Sequence, residues 1–132
     1  MIVVDASALI AIAEYEPERD EFLDALERAS SAIISIANAV ETGLILIGRG
    51  ALRDVASLNR WLAALAITVE VGSPDHSEVL GAYLRYGRNY HPARLNLADC
   101  FAYALAKRHN APLLFKGADF AMTDIRSAIQ PT

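Results

Sequence analysis

The sequence predicts an α/β fold built on a central, mainly parallel β-sheet. Short apolar runs rich in β-branched residues alternate with longer segments whose apolar residues recur at helical spacing. The first run, Ile2–Val4, has no polar member, which is typical of a central parallel strand buried on both faces. The 132 residues are enough for a single core, and no repeat or linker-like stretch divides them, so we expect one domain.

The first half of the chain is predicted to contain two strands and four helices. The first helix ends at a break marked by Pro17, and the glycines of residues 48–50 interrupt a later helical stretch. The expected elements are a strand at 2–4, helices at 6–14 and 18–29, a strand at 32–35, and one helix on either side of residues 48–50.

The second half is predicted to continue this alternation. Ser73 is the expected N-cap of a helix that opens with Pro74 and Asp75, and Asn110 is expected to end an apolar helix. The expected elements are a strand at 67–71, helices at 74–88 and 97–109, a strand at 113–115, and a last short strand near 125–129. Right-handed crossovers then place every strand-to-helix loop at one edge of the sheet.

Composition excludes several classes of protein. The hydrophobic fraction of 54% and the mean hydropathy of +0.25 indicate a densely buried sheet, an apolar surface for a partner, or both. No apolar run approaches the roughly 18 residues that span a bilayer. The N-terminus has no basic segment ahead of a hydrophobic one, so we expect a cytoplasmic protein without a membrane segment. The single Cys100 excludes an internal disulfide and argues against a thiolate metal site.

The charge balance is acidic, with 16 Asp and Glu against 12 Lys and Arg and a net charge of −4. This sum is a poor match for a general nucleic-acid-binding protein, which usually carries a basic face. The acids outnumber the bases by four, and four acids lie in apolar stretches of the sequence: Asp5, Glu41, Asp99 and Asp119.

These four acids are the candidate site residues. Asp5 and Asp119 follow predicted strands, Asp99 opens a predicted helix, and Glu41 lies about two turns into another. In parallel α/β sheets, ligands bind outside the carboxyl ends of the strands, where all four could meet. An ionised carboxylate in apolar surroundings must be paired or metal-bound. Four together would suit a hard cation such as Mg²⁺ or Mn²⁺.

Each acid also has a purely structural explanation. Asp5 could cap the helix that follows it, and Glu41 could face solvent. Asp99 could form a capping box with Asn96 three residues earlier. Asp119 could cap a short turn, with Asp124 as an alternative carboxylate nearby. No single acid is decisive, but structural explanations alone would not place all four at one edge.

Basic and aromatic residues interleave over residues 81–94. Aromatic faces can stack on unpaired bases and Arg can hold phosphates, so Arg85, Arg88 and Arg94 are candidate substrate-binding residues. The alternative is a partly buried helix in which Tyr83 packs and the arginines extend to solvent. We favour packing for Tyr83 and a substrate role for the three arginines.

Several blocks of the chain together resemble the PIN-domain ribonucleases of the VapC toxin type. The order Asp, Glu, Asp, Asp is that of the family, and the resemblance spans nearly the whole chain. The blocks are residues 2–9 (IVVDASAL), Glu41, residues 95–106 (LNLADCFAYALA), residues 113–120 (LLFKGADF) and residues 123–125 (TDI).

The resemblance implies a three-layer α/β/α PIN-like domain over residues 1–132. It also implies an Mg²⁺- or Mn²⁺-dependent endoribonuclease, the toxin of a toxin–antitoxin pair, usually a homodimer and neutralised by a cognate VapB-type antitoxin. Its substrate would be RNA. By position, Asp5 and Asp99 would be the principal metal ligands, Glu41 and Asp119 would complete the acidic cluster, and Ser7 would be a supporting hydroxyl.

The sequence departs from the family at two neighbours of these acids. Ala98 stands where the family often has Gly, and Ala118 where it often has Asn. Both substitutions could alter the orientation of the adjacent acids, but they leave the four carboxylates in place.

Other functions remain open from the sequence. A phosphotransfer domain could use Asp5 as nucleophile, but Ser7 stands where such enzymes commonly carry a second Asp. A receiver-like signalling domain would want Lys116 but also a pair of acids after the first strand. A catalytically silent RNA-binding module would keep residues 85–94 without needing Glu41.

Overall fold

The computed structural model describes residues 1–129 of the chain. This part contains four strands, six α-helices and one short 3₁₀ turn. In chain order they are β1 (Ile2–Val4), α1 (Ala6–Ala13), α2 (Arg19–Arg28), β2 (Ala32–Ser35), α3 (Ile36–Gly48), α4 (Val55–Ala64), β3 (Ile67–Glu70), α5 (His76–Tyr86), α6 (Leu97–Arg108), β4 (Leu113–Leu114) and the turn Phe120–Met122.

The four strands form one parallel sheet in the order β3-β2-β1-β4. The predicted α/β fold with a parallel sheet is therefore confirmed. β1 is central, with Val3 opposite Ile33 of β2 on one side and Leu113 of β4 on the other. All three residues of β1 are buried, as its fully apolar sequence predicts.

Helices cover both faces of this sheet because alternate strand residues point to opposite sides. Ile2 and Val4 belong to a core shared with α1, α2 and α4, whereas Val3 belongs to a second core shared with α5 and α6. The arrangement has three layers, as the resemblance implies. Each large side chain buried in these cores contributes about 1.5–3 kcal/mol.

Two strands continue into helices with no intervening loop. Asp5 follows β1 and caps α1, its carboxylate accepting a hydrogen bond from Ser7 N at 3.0 Å. Ser35 ends β2 and caps α3, its hydroxyl accepting a hydrogen bond from Asn38 N at 3.0 Å. The first turns of α1 and α3 therefore lie at the carboxyl edge of the sheet.

The N-terminus of α5 differs from the prediction. Asp75, and not Ser73, is the N-cap, and the helix begins at His76 and ends at Tyr86. The Asp75 carboxylate accepts a hydrogen bond from Glu78 N at 2.9 Å, and the Glu78 carboxylate accepts one from Asp75 N at 3.0 Å. This reciprocal capping box satisfies two backbone N–H groups, which a serine further upstream would not reach.

The last predicted strand is reduced to one parallel bridge between Leu113 and Ser127. Leu113 N donates to Arg126 O, and Ala128 N donates to Leu113 O, both at 2.8 Å. β4 has only two residues, so its outer edge offers little length for pairing. Residues 130–132, which belong to the predicted domain, lie outside the described residues.

Between residues 1 and 129, no helix is both long and apolar enough to cross a membrane.

Cys100 is free and completely buried, as predicted for a small core residue. Burial raises the pKa of its thiol to about 11, which keeps it protonated at neutral pH.

Gly81 within α5 and Gly87, the residue that follows the helix, should respond oppositely to an added methyl group. A Cβ at Gly87 would lie 2.3 Å from Tyr83 O and 2.7 Å from its ring, so Gly87→Ala should lower the free energy of unfolding by about 1–3 kcal/mol. A Cβ at Gly81 meets nothing within 4 Å, so Gly81→Ala should raise it by about 0.5–1 kcal/mol through better helix propensity. Urea denaturation of both variants checks this, and equal stability would contradict the packing described for Gly87.

Candidate active site

Asp5 is the most deeply buried carboxylate at the carboxyl edge, with 3% of its surface exposed. One carboxylate oxygen accepts the Ser7 N–H, and the other lies 3.4 Å from the amide nitrogen of Asn38. Burial raises the pKa of Asp5 to about 6, against the lowering effect of the Ser7 contacts, and the charge of Glu41 raises it further. Ionising Asp5 at this buried position therefore costs more free energy than ionising an exposed helix cap would.

Asn38 is a site residue that the sequence analysis did not identify. It is fully buried, and its amide nitrogen donates to Ala98 O at 3.0 Å while its amide oxygen accepts the Ser35 hydroxyl. It therefore links the end of β1, the start of α3 and the start of α6. The sequence feature that could have identified Asn38 is its polar amide in an apolar helical stretch, one turn before Glu41.

Asp99 lies on the first turn of α6 and forms the capping box expected with Asn96. Its carboxylate accepts Asn96 N at 3.0 Å, and Asn96 Oδ1 accepts Asp99 N at 2.8 Å. Burial nevertheless raises the pKa of Asp99 to about 6, the Asn96 hydrogen bond lowers it, and the charges of Asp5 and Asp119 raise it. Capping and membership of the acidic cluster coexist in this residue.

The four acids interact electrostatically as one cluster. Burial raises the pKa of Glu41, and the charge of Asp99 adds to this effect. Asp119 follows β4 at the start of the 3₁₀ turn and is exposed, and its charge acts on Asp99. The structure thus brings Asp5, Glu41, Asp99 and Asp119 to one end of the sheet, and we call these four residues the acidic cluster.

The donor set of the acidic cluster is chemically compatible with a hard divalent cation. Carboxylate oxygens are the protein ligands that Mg²⁺ and Mn²⁺ prefer. Among the described residues, no three His, Cys, Asp or Glu side chains lie close enough together to hold one ion. Mg²⁺ is commonly held by one or two carboxylates, with water and substrate phosphates at its other positions. One or two members of the acidic cluster would be enough for such a site.

Ser7 supports this region from α1. Its hydroxyl oxygen accepts Lys116 N at 3.0 Å, which ties the segment after β4 to the start of α1. Ser7 therefore helps to hold both the Asp5 carboxylate and the chain that leads to Asp119.

The three candidate arginines have different surroundings. Arg88 is exposed, and its charge lowers the pKa of Asp99, so it lies near the acidic cluster. Arg85 instead lies 3.7 Å from the Asp124 carboxylate and over the Tyr86 ring. Arg94 is exposed in a loop at φ 53°. Of the three, Arg88 is the one that the structure connects to the acids.

Two residues that the sequence left as alternatives are occupied elsewhere. The Asp124 carboxylate accepts the Tyr103 hydroxyl at 2.6 Å and Lys107 Nζ at 3.0 Å, which separates it from the acidic cluster. The Lys116 ammonium is paired with Glu16 and lies 3.4 Å from Glu18. A receiver-like function, which would use this lysine beside Asp5, is therefore not favoured.

This fold and these acids define a PIN-domain protein. The family model described as "PIN domain" matches residues 2–125, which is nearly the whole chain. The chain therefore belongs to the PIN-domain family.

Within that family, the chain is similar over its full length to VapC ribonucleases. It is 41% identical to Ribonuclease VapC42 of Mycobacterium tuberculosis, over 96% of this chain and 98% of that protein. It is 37% identical to Ribonuclease VapC30 of the same species, over 98% and 100%. The chain is thus a member of the VapC-type PIN-domain ribonucleases, as the sequence resemblance predicts.

A solved structure confirms the fold independently. The crystal structure of VapC20 of Mycobacterium tuberculosis, named as a sarcin–ricin-loop-cleaving toxin, superposes with a TM-score of 0.69. The match covers 96% of this chain and 99% of that one at 15% sequence identity, so it bears on the architecture alone.

The metal-free protein should lose stability as the pH rises from about 4 to about 6. In that window the folded state keeps protons on Asp5 and Asp99 that the unfolded state has released, so the free energy of unfolding falls with rising pH. Asp99→Asn keeps an acceptor for Asn96 N and removes the charge. It should therefore raise the free energy of unfolding at pH 7 by about 1–2 kcal/mol, with the gain vanishing near pH 4.

Urea denaturation in EDTA at pH 4 to 8 measures this difference. Asp124→Asn is the matched control, because hydrogen bonds from Tyr103 and Lys107 lower the pKa of Asp124. That variant should be less stable than the wild type at pH 7, the opposite sign. Equal stability of Asp99→Asn and the wild type at pH 7 would contradict the raised pKa of the Asp99 carboxyl.

Replacing Asn38 by Leu should lower the free energy of unfolding by about 2–3 kcal/mol. The change leaves the Ala98 carbonyl and the Ser35 hydroxyl without their partner in a buried site. Asn59→Leu, at an exposed position of α4, is the control and should change stability by less than about 0.5 kcal/mol. Chemical denaturation decides, and similar small effects of both changes would rule out a structural role for the Asn38 amide.

Proposed function

We propose that this PIN-domain ribonuclease is a metal-dependent endoribonuclease that acts as the toxin of a toxin–antitoxin pair. Its substrate would be RNA, cut at phosphodiester bonds so as to block translation in the cytoplasm. The observation that carries the proposal is the gathering of four carboxylates at the carboxyl edge of a PIN fold, where burial raises the pKa values of Asp5, Glu41 and Asp99. The full-length similarity to proteins named VapC ribonucleases supports it.

In this proposal, Asp5 and Asp99 would hold an Mg²⁺ or Mn²⁺ ion. When bound, such a cation supplies Lewis-acid chemistry that polarises the phosphodiester and stabilises charge on the leaving oxygen. Burial suits these two acids to the task, because a cation relieves the cost of ionising them.

The remaining residues act around that pair. Glu41 or Asp119 orients or deprotonates the attacking water, and burial raises the pKa of Glu41, which makes its carboxylate a stronger base than an exposed glutamate. Arg88 offers positive charge beside Asp99 for an RNA phosphate. Ser7 acts as a positioning residue through its contact with Asp5. Without a cation, the acidic cluster repels RNA, so the metal-free protein is expected to be inactive.

The partners in this proposal are a cognate VapB-type antitoxin and a second copy of the chain. An antitoxin Arg or Lys could enter the acidic cluster and replace the charge of the cation. The acid-rich residues 14–27 are a candidate surface for it, although Glu14 pairs with Arg49, and Glu16 and Glu18 pair with Lys116. Exposed apolar side chains such as Val40, Leu44 and Val55 support a homodimer.

Purified, antitoxin-free protein should cut total bacterial RNA at a few defined sites when Mg²⁺ or Mn²⁺ is present. EDTA should abolish the cuts. Asp99→Asn should slow them about 100-fold or more, since even groups that merely support metal ligands contribute about 10- to 100-fold. Mapping new 5′ ends by sequencing measures all three samples and identifies the target.

Asp124→Asn is the matched carboxylate control, because Asp124 pairs with Tyr103 and Lys107 outside the acidic cluster. This variant should keep the cleavage pattern. Cuts that persist in Asp99→Asn would show a contaminating nuclease, and intact RNA with folded protein and metal would contradict the proposed activity.

A further inference from the structure

A cavity of about 650 Å³ lies between α5 and the start of α6. Its volume falls within the range of pockets that bind small ligands, about 300–1,000 Å³. We call it the α5–α6 cavity. Its lining is mostly apolar, with Val79, Leu80, Tyr83, Leu97 and Phe101, and its polar members are His76, Arg88 and Asn96. None of these residues belongs to the acidic cluster.

The α5–α6 cavity opens beside the acidic cluster. Asn96 lines the cavity and is hydrogen-bonded in both directions to Asp99. Arg88 also lines it, and its charge acts on the Asp99 carboxyl. A nucleotide chain whose phosphate lies at Asp99 would therefore have a neighbouring base within reach of the cavity.

Two aromatic rings supply stacking surfaces. Tyr83 and Phe101 are half-buried and pack against the core of α5 and α6, which holds them in place while part of each side chain stays exposed. Tyr83 also contacts Tyr90 edge to face, with ring centroids 5.9 Å apart. Rings held in this way are suited to stacking on an unpaired base.

Polar groups in the α5–α6 cavity match the remaining parts of a nucleotide. The Asn96 amide nitrogen makes no hydrogen bond, and the Arg88 guanidinium no ion pair, within residues 1–129. Asn96 can thus donate to the edge of a base and Arg88 to a phosphate. The exposed His76 offers a further donor or acceptor at the far end.

We propose that the α5–α6 cavity binds one unstacked nucleobase of single-stranded RNA, next to the phosphate at the acidic cluster. The base stacks on Tyr83 and Phe101, and Arg88 holds an adjoining phosphate. This inference rests on the proposed ribonuclease function and adds the residues that hold a base beside the cut. The exposed Leu97 would also suit a protein partner, but free cationic and amide donors beside the acidic cluster favour a nucleotide.

Binding of single nucleotides tests the inference without relying on cleavage. Wild-type protein in Mg²⁺ is titrated with the four nucleoside 5′-monophosphates and, as a base-free control, with ribose 5-phosphate. NMR of aromatic side chains is the readout. Signals of Tyr83 and Phe101 should shift with at least one nucleotide and stay unchanged with ribose 5-phosphate.

Phe101→Leu removes the ring but keeps an apolar side chain. It should weaken nucleotide binding roughly 5- to 150-fold, the range expected for one stacking contact. Tyr83→Leu is a second variant with the same expectation, should the first fail to fold in a thermal melt. Tyr15→Leu removes an aromatic ring that is 77% exposed on another part of the chain, and should leave binding unchanged.

The outcomes separate this inference from the ribonuclease proposal. Nucleotide binding at Tyr83 and Phe101 in a protein that cuts no RNA would support the cavity and contradict the ribonuclease function. RNA cleavage without any shift of these signals would support the ribonuclease function and overturn the inference about the cavity. Equal shifts with ribose 5-phosphate would show a phosphate site only and overturn the inference. Shifts that depend on protein concentration, and not on nucleotide, would identify the cavity as a protein interface and also overturn it.

Discussion

The burial of the Asp5 carboxylate at the end of the central strand is the constraint on which the rest of the site depends. Asp5 is almost inaccessible, and its two oxygens face the Ser7 N–H and the Asn38 amide. Because Asn38 also donates to the Ala98 carbonyl, the same small network ties β1 to α3 and α6. Those two helices carry Glu41 and Asp99, so the geometry of the acids follows from the way Asp5 is buried.

This arrangement opposes the stability of the fold. Burial and mutual repulsion raise the pKa values of Asp5, Asp99 and Glu41, which means that their ionised forms destabilise the native state at neutral pH. A helix cap or a solvent-exposed residue has no such cost. Local departures from the rules of good packing are typical of functional sites, where a ligand supplies the missing interaction. In the function proposed above, a divalent cation is that ligand.

The N-terminus of α6 connects the acidic cluster with the α5–α6 cavity. On one side Asp99 belongs to the acidic cluster, and on the other Asn96 lines the α5–α6 cavity, with reciprocal hydrogen bonds between the two residues. Phosphate chemistry and base recognition would thus be coupled through one capping box. The opposite end of the same helix forms a separate network in which Lys107 pairs with Asp124.

Much of the fold was predictable because it follows from local chemistry. The apolar runs at β1 and β2, the helical periodicity of α1 to α4, and the Asn96 capping box were all expected, and all are present. The acidic cluster was predictable in membership because a carboxylate in an apolar run is costly wherever the run folds. The predicted N-cap of α5, Ser73, was wrong. Ser73 and Asp75 offer similar capping groups, and only the path of the backbone selects Asp75.

What the sequence determined by itself is therefore the six helices, four of the five expected strands, the parallel sheet and the four candidate acids. Tertiary structure alone decided which polar side chains meet. Arg85 and Arg88 are three residues apart and chemically identical. Arg85 lies 3.7 Å from the Asp124 carboxylate, whereas the charge of Arg88 lowers the pKa of Asp99. Asn38 reaches Ala98 across 60 residues. Such pairings depend on how distant elements pack, and spacing along the chain carries no information about that distance.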